Sequence, residues 1–402
     1  MFLQRNRSFS LLWFGQTVSQ LGDAFFNLAI LVKAFNISGS AVLVGRIMTF
    51  AIIPQILIGF FIGPWIDRFN KKKVLIVVDV IRAFIVIVVP LANSTEILQI
   101  LLFVLSGFAT IFNPTIIALL PDIVKGEQLT EGNAINSTTQ SSIALIGPAL
   151  GGVIIATLGL DISFYFDGLS YLLSAFCVLL LKVKSNKSQR TVEKGFIDDW
   201  LAGLRYVRNS SLVRSIIIAF VFYIFVGTSI DILLVFLVRD TLKLSTVWLG
   251  IVDSAWALGM LGGGPLMLFL RQKISPLDSI LLGLAGAGFM MFLLSLAPSI
   301  SLVIPVMVIM GLGNTFAAVA STTVLQMSIP EELRGRVFAF RSTLIQGAAA
   351  MSMTVGGLLA GKIGVRKTIM GAGCSELLWI ICWLFLRYYG YRSKLSIDLE
   401  DH

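Results

Sequence analysis

With 402 residues, 56% hydrophobic, only 13% charged and a mean hydropathy of +0.90, the chain cannot be an ordinary soluble protein. Its formal charge of +9 does not mark a nucleic-acid binder, because the cations gather at one set of ends of the apolar runs and not in an aromatic-rich patch.

Apolar runs of about 20 residues, the length that crosses a bilayer core, recur along nearly the whole chain. They predict transmembrane helices at 9–33, 42–66, 73–93, 97–120, 133–158 and 164–182, then at 212–237, 247–270, 276–296, 300–324, 337–361 and 367–389. The first run follows Arg5 and Arg7, but it is longer than a secretory h-region and no small-residue cleavage site follows it, so a retained span is expected. The fold class is therefore an all-α membrane protein with a six-helix bundle over 1–182, a cytoplasmic linker over 183–211 and a second bundle over 212–402. One side of the membrane would carry only Lys33, Arg239, Lys243, Lys362, Arg366 and Lys367, with most of the remaining Lys and Arg on the other. That asymmetry puts both termini in the cytoplasm.

Span 1 carries Gln16, Gln20, Asp23 and Asn27 at i, i+4, i+7 and i+11, a polar stripe along one face. A lone carboxylate in hydrocarbon costs about 2.5–3.5 kcal/mol, so the stripe must face a water-filled cavity or a partner. Arg46, near the outer end of span 2, is a candidate to pair with a mid-membrane acid and latch the outside shut. The turn that follows, Gly63-Pro64-Trp65-Ile66-Asp67-Arg68-Phe69-Asn70-Lys71-Lys72-Lys73, is short and basic, which makes its flanking helices an antiparallel pair. At Asn70 a left-handed backbone is tolerable. Asp79 and Arg82, three residues apart in span 3, read as a structural or cytoplasmic-gate pair. Ser106, Thr110 and Asn113 form a second polar stripe in span 4, beside Pro114. In span 5, Gly147-Pro148-Ala149-Leu150-Gly151-Gly152 joins a helix-kinking proline to glycines that let another helix approach.

Within the linker, residues 184–190 read as flexible, after which Phe196, Trp200, Leu201, Leu204 and Val207 share one helical face. Asp198, Asp199, Arg205 and Arg208 lie opposite, predicting an amphipathic helix on the membrane surface. Span 7 offers Tyr223, Gly227 and Asp231, span 8 Asp253 and Trp256, and span 10 Asn314 and Thr315. The only histidine is His402, so proton chemistry inside the membrane falls to carboxylates. Asp23, Asp231 and Asp253 are the candidates to carry protons and to attract a cationic substrate, while Asp167 and Glu376 read as scaffold. Phe14, Phe25, Tyr223, Phe316 and Trp256 are candidate apolar contacts for an amphipathic ligand.

Cys177, Cys374 and Cys382 lie in apolar runs without CxxC spacing and read as small core hydrophobes. The stretch from Gly356 to Gly361-Lys362 lacks the hydroxyl residue and preceding strand of a phosphate loop. No metal cluster or nucleophile–base pair stands out, so neither enzymatic chemistry nor a cofactor is expected.

The basic turn resembles the loop between helices 2 and 3 of the major facilitator superfamily through Gly63, Asp67, Arg68, Lys71 and Lys72, with Trp65 and Asn70 as departures. The span 5 segment Gly147, Pro148, Gly151 and Gly152 resembles that superfamily's antiporter motif, although Ile143 stands where a further glycine is usual. Pro330 with Arg334-Gly335-Arg336-Val337, Asn113-Pro114, Leu119-Leu120-Pro121-Asp122 and Gly203-Leu204-Arg205-Tyr206-Val207-Arg208 are similar to the macrolide-efflux-type exporters of the group. The arginine of another drug-antiporter motif is absent from span 4, where Phe103 occupies its position. The resemblance implies two six-helix bundles with spans 1, 4, 7 and 10 around a central cavity. Gln16, Gln20, Asn27, Thr110, Asn113, Tyr223, Trp256 and Asn314 would line it. It also implies a cytoplasmic gate of Gly63, Asp67, Arg68, Asp122, Arg334 and Arg336, with Asp67 against the start of span 11.

The function expected is a proton-coupled exporter of amphipathic small molecules, such as drugs or macrolides, working by alternating access in the plasma membrane. Its partners would be the substrate, protons and the bilayer, with no nucleic acid and no obligate protein. Export of a single metabolite, siderophore or lipid, or a non-transporting sensor on the same fold, are the alternatives.

Overall fold

The computed structural model describes residues 6–59, 62, 69–124, 128–181, 196–270 and 272–400, side chains excepted at 128–130, 196–200 and 386–400. Among these residues, twelve helices are long and apolar enough to cross a membrane. In the first half they are span 1 Arg7–Ser38, span 2 Ala41–Gly59, span 3 Lys71–Leu91, span 4 Thr95–Ile123, span 5 Glu131–Leu158 and span 6 Leu160–Leu179. In the second they are span 7 Ser211–Thr241, span 8 Val247–Leu270, span 9 Pro276–Leu296, span 10 Ile300–Ser328, span 11 Glu331–Ile363 and span 12 Val365–Phe385. A connector helix, Phe196–Asn209, joins the two sets.

Several ends lie beyond the apolar runs because local caps extend them. Ser94 caps span 4 by accepting from the Ile97 N–H, and Gly39, at φ 58°, ends span 1 by donating its N–H to the Phe35 carbonyl. Asn70 does not take a left-handed backbone; at φ −72° it caps span 3 by accepting from the Lys73 N–H. Span 7 is not one regular helix. It runs from Ser211 to Gly227, resumes over Ile230–Phe236 and closes on a π turn at Leu237–Thr241. At the break, the Ser229 N–H donates to the Ser352 Oγ at 2.9 Å, so span 11 satisfies a backbone group that the helix leaves open.

Cross-span hydrogen bonds fix which ends share a face. At one face, Asn6 Nδ2 donates to the Ile123 carbonyl, Lys72 Nζ to the Leu181 carbonyl and the Tyr206 hydroxyl to the Ser328 carbonyl. This face therefore gathers the N-terminal end, the ends of spans 4, 6 and 10, and the connector; it is called the terminal face below. At the opposite face, Lys33 Nζ donates to the Pro90 carbonyl and Arg366 to the Ser295 and Ala297 carbonyls.

The connector was expected to rest on the membrane surface, but it docks on protein. Gly203 meets the span 11 backbone so closely that a Cβ there would lie 2.7 Å from the Arg336 carbonyl oxygen, and Val207 is buried. Leu201 and Leu204 stay exposed. The linker segment 184–190 lies outside the described residues.

The two halves press together toward the opposite face. Phe35 meets Phe236 edge-on with centroids 4.9 Å apart, and span 2 crosses span 11 where Gly45 and Gly357 approach the backbones of Met353 and Ala41. Lipid tails are as apolar as these side chains, so small residues and interhelical hydrogen bonds, more than the hydrophobic effect, bring such helices together. Thr49 Oγ1 accordingly bonds the Ala350 carbonyl and the Thr354 hydroxyl across this seam.

Candidate functional site

The span 1 stripe meets a partner inside the first bundle. Gln16 Nε2 donates to Ser174 Oγ of span 6 at 3.0 Å, and about two turns later Asp23 accepts from Arg82 Nη2 of span 3 at 3.1 Å. The Tyr171 hydroxyl of span 6 donates to the same Asp23 oxygen and accepts from Arg82. Arg82 is thus not a cytoplasmic-gate residue. At about 1.5 Å per residue it stands roughly 16 Å into span 3, near its midpoint. Its side chain is 7% exposed and that of Asp23 is 37% exposed, so one member of the pair is enclosed and the other borders open space.

Further groups enclose the guanidinium. Its Cζ lies 3.9 Å from the Tyr171 ring centroid and 5.2 Å from that of Phe112 in span 4. Nη1 stands 3.6 Å from Asp79 Oδ1, and Asp79 is fully buried with no hydrogen bond to either oxygen. Asp167 is also fully buried; its Oδ1 accepts from Ser170 on its own helix at 3.3 Å. It approaches span 1 only because Gly22 has no side chain, since a Cβ there would lie 2.5 Å from Asp167 Oδ1. Asp167 does not stand at a helix start: with span 6 beginning at Leu160, it lies about 10 Å along the helix, at the level of the pair. Asp167 and Tyr171, four residues apart on one face, were the signal in the sequence that could have placed an acid and a phenol at this depth.

Span 5 joins this bundle to the other half. The bare edge of Gly147 faces Ala24, that of Gly151 faces Phe25, and that of Gly152 faces Val247 of span 8. Gly250 packs on the Pro148 carbonyl, where a Cβ would fall 2.1 Å from the oxygen, and Ser254 Oγ accepts from the Ala149 N–H at 3.2 Å. Pro148 and Gly152 therefore form the seam between spans 5 and 8, while Gly147 and Gly151 let span 5 pack closely on span 1.

In the second bundle, Asn314 Nδ2 donates to the Tyr223 hydroxyl at 3.0 Å. Asp231 is exposed just past the break in span 7, Asp253 is half-buried in span 8, and Glu376 of span 12 is fully buried with no hydrogen bond to either oxygen. Trp256 packs against the core, and Phe25 and Phe316 are buried in packing, leaving Phe14 as the exposed one of the proposed aromatic contacts.

Between the halves, in the part nearer the terminal face, lies a cavity of about 410 Å³. Gln55 and Gly59 of span 2, Thr110 and Asn113 of span 4, and Ser342, Thr343 and Gln346 of span 11 line it. A Gln346 Nε2 to Gln55 Oε1 hydrogen bond of 3.0 Å marks where the packed seam gives way to the open part. Gln20 is half-buried and Asn27 exposed on span 1.

At the terminal face, Asp122 pairs with Lys71 at 3.0 Å, and Lys71 also donates to the Ala118 carbonyl. Arg334 Nε donates to the Ile329 carbonyl in the turn between spans 10 and 11. Asp122 is therefore not joined to Arg334 here, and Gly63, Asp67 and Arg68 lie outside the described residues. Arg46 does not reach a mid-membrane acid; it pairs with Glu96 at 3.4 Å, both side chains largely exposed, because both begin helices at the opposite face. Of the cysteines, Cys177 is buried, Cys374 partly so, and Cys382 exposed instead of in the core.

The chain is similar to known proteins over nearly its whole length. Macrolide efflux protein A of Streptococcus pyogenes is 24% identical over 383 residues, spanning 93% of this chain and 95% of that protein. The uncharacterized MFS-type transporter YfiS of Bacillus subtilis is 26% identical over 376 residues, covering 90% and 89%. Among solved structures, a bacterial homologue of the iron transporter ferroportin in an inward-facing state shares the fold at a TM-score of 0.71 and 16% identity, covering 94% of this chain and 98% of that one. The nucleoside transporter NupG does so at a TM-score of 0.78 and 10% identity, with the same coverage. The profile of the Major Facilitator Superfamily matches residues 12–353 and 249–397. With twelve membrane-length helices and that match across the chain, the protein belongs to the Major Facilitator Superfamily, a multi-pass membrane transporter family.

Proposed function

We propose that this protein is a proton-coupled exporter of amphipathic small molecules, macrolides among them, that works by alternating access in the plasma membrane with both termini in the cytoplasm. The observation that carries the reading is Asp23, a carboxylate at mid-span that borders open space yet is ion-paired to the enclosed Arg82. Such a group can take a proton from the aqueous side and change what it holds when it does so. The efflux protein that covers nearly the full chain supports the direction of transport and the substrate class. On this orientation the cavity opens to the cytoplasm and the seam at Phe35, Gly45 and Gly250 is the closed outer gate.

Asp231 and Asp253 are the second-half acids that draw a cationic substrate and carry protons. The residues of the cytoplasmic gate, Asp67, Arg68, Asp122, Arg334 and Arg336, come together when the terminal face closes, with Asp122 leaving Lys71. A dedicated exporter of one hydrogen-bonding solute is the second reading, favoured by the amides and hydroxyls that line the cavity. Purified protein in vesicles, tested with a panel of radiolabelled compounds under an imposed pH gradient, separates the two. Competition among structurally unrelated amphipaths supports the first, transport of one solute alone supports the second, and no flux of any compound contradicts both.

A further inference from the structure

Arg82 stands between two carboxylates that differ in access. Asp23 holds it at 3.1 Å and borders open space; Asp79 lies 3.6 Å away, fully buried, with no hydrogen bond on either oxygen. An enclosed carboxylate without hydrogen-bonded compensation is costly, and a guanidinium with donors on two nitrogens can reach two acids at once. The charged and titratable groups facing Arg82 are Asp23 of span 1, Asp79 of its own span 3, and Asp167 and Tyr171 of span 6; span 4 presents only the Phe112 ring. Asp167 also has an oxygen without a hydrogen bond but makes no ion contact to Arg82 within 4 Å, so Asp79, already 3.6 Å from Nη1, is the nearer second acceptor.

We infer that Asp79 is the second seat of the Arg82 guanidinium: when Asp23 takes up a proton, Arg82 leaves it and closes on Asp79. This deepens, and rests on, the proton-coupled reading of Asp23. The proton bonds to a carboxylate oxygen of Asp23, which becomes neutral and loses its charge attraction for Arg82. The guanidinium keeps its own protons and shortens its contact with the Asp79 carboxylate. Loss of the proton from Asp23 reverses the step, so one proton enters, one leaves, and no other group changes charge. Movement of Arg82 also releases the hydroxyl of Tyr171, which now bridges Asp23 and Arg82. Span 1 is thereby loosened from spans 3 and 6 only in the protonated state. Asp79 acts as a positioning residue, through Arg82.

Infrared difference spectroscopy on the purified full chain, followed through a pH titration, reads this without knowledge of the substrate. The band of a newly protonated carboxyl that disappears in Asp23→Asn belongs to Asp23. Asp79→Asn is expected to reduce that band by about threefold or more, because Arg82 then has no other seat and stays on Asp23. Asp79→Glu is expected to restore it. In an Arg82→Gln background, Asp79→Asn is expected to change nothing further, which a merely structural role for Asp79 would not produce. A full Asp23 band in Asp79→Asn, or an equal loss with and without Arg82, overturns the inference. Absence of any Asp23 band in the unaltered protein overturns the proton-coupled reading instead.

Discussion

Arg82 in the middle of span 3 donates to the carboxylate of Asp23 in the middle of span 1, 59 residues away in sequence, at 3.1 Å. The pair ties two helices together at a depth where neither charge has water on all sides, so its members cannot be exchanged independently. Arg82→Gln leaves Asp79 enclosed with no cation, and loss of one partner of a buried ion pair costs about 3–5 kcal/mol. The expected result is a clear drop in thermal unfolding temperature in detergent. Arg82→Lys is expected to recover only part of it, because an ammonium is a compact point charge without the planar face that lies on the Tyr171 ring. Full recovery in the lysine variant would contradict this geometry.

Tyr171→Phe keeps the ring under Arg82 and removes the hydroxyl shared with Asp23. Loss of a charge-assisted hydrogen bond at an enclosed site corresponds to about 1.5–3 kcal/mol. Stability is expected to fall by that order, and by less than in Arg82→Gln, as measured by the same thermal unfolding. A phenylalanine variant as unstable as Arg82→Gln would mean the ring itself had been displaced.

Gly250→Ala places a methyl group where the Pro148 carbonyl oxygen already stands 2.1 Å away. Backbone atoms cannot yield as a side-chain tip can, so spans 5 and 8 must separate at the seam. The protein is expected to insert normally but to lose about tenfold or more in efflux, one decade for each 1.4 kcal/mol lost from the closed outer gate. Cysteines introduced at Gly152 and Val247, close across the same seam, are expected to cross-link less readily in the Gly250→Ala background. Unchanged cross-linking would show that the seam accommodates the methyl.

Arg46→Ala is expected to do little. Its pair with Glu96 has side chains 47% and 66% exposed, and such a surface ion pair contributes about 0–1 kcal/mol. Efflux and thermal stability within error of the unaltered protein would agree; a large loss of transport would revive a latch role for Arg46.

The membrane spans were legible because an uninterrupted apolar run of helix length has few other meanings, and Asp23 was legible because a carboxylate stands out in such a run. Its partner was not. Arg82 has Asp79 three residues away on its own helix, which satisfies a local reading and hides the cross-span contact with Asp23. Asp167 was misplaced because the polar start of span 6, Leu160-Asp161, looked like loop; once the helix begins there, Asp167 falls two turns inside. Arg46 went astray for a related reason: it found an opposite charge, Glu96, at the neighbouring helix end, and sequence spacing does not reveal which ends are adjacent. The break in span 7 was invisible because Ser352, which satisfies the Ser229 N–H, comes from a distant helix.

The deciding measurement is gradient-driven macrolide flux in vesicles containing Asp23→Asn, compared with the unaltered protein. The unaltered protein is expected to move macrolide against its gradient when protons flow the other way, and Asp23→Asn to exchange macrolide across the membrane without concentrating it. Concentrative flux of equal size in both proteins would contradict proton coupling through Asp23.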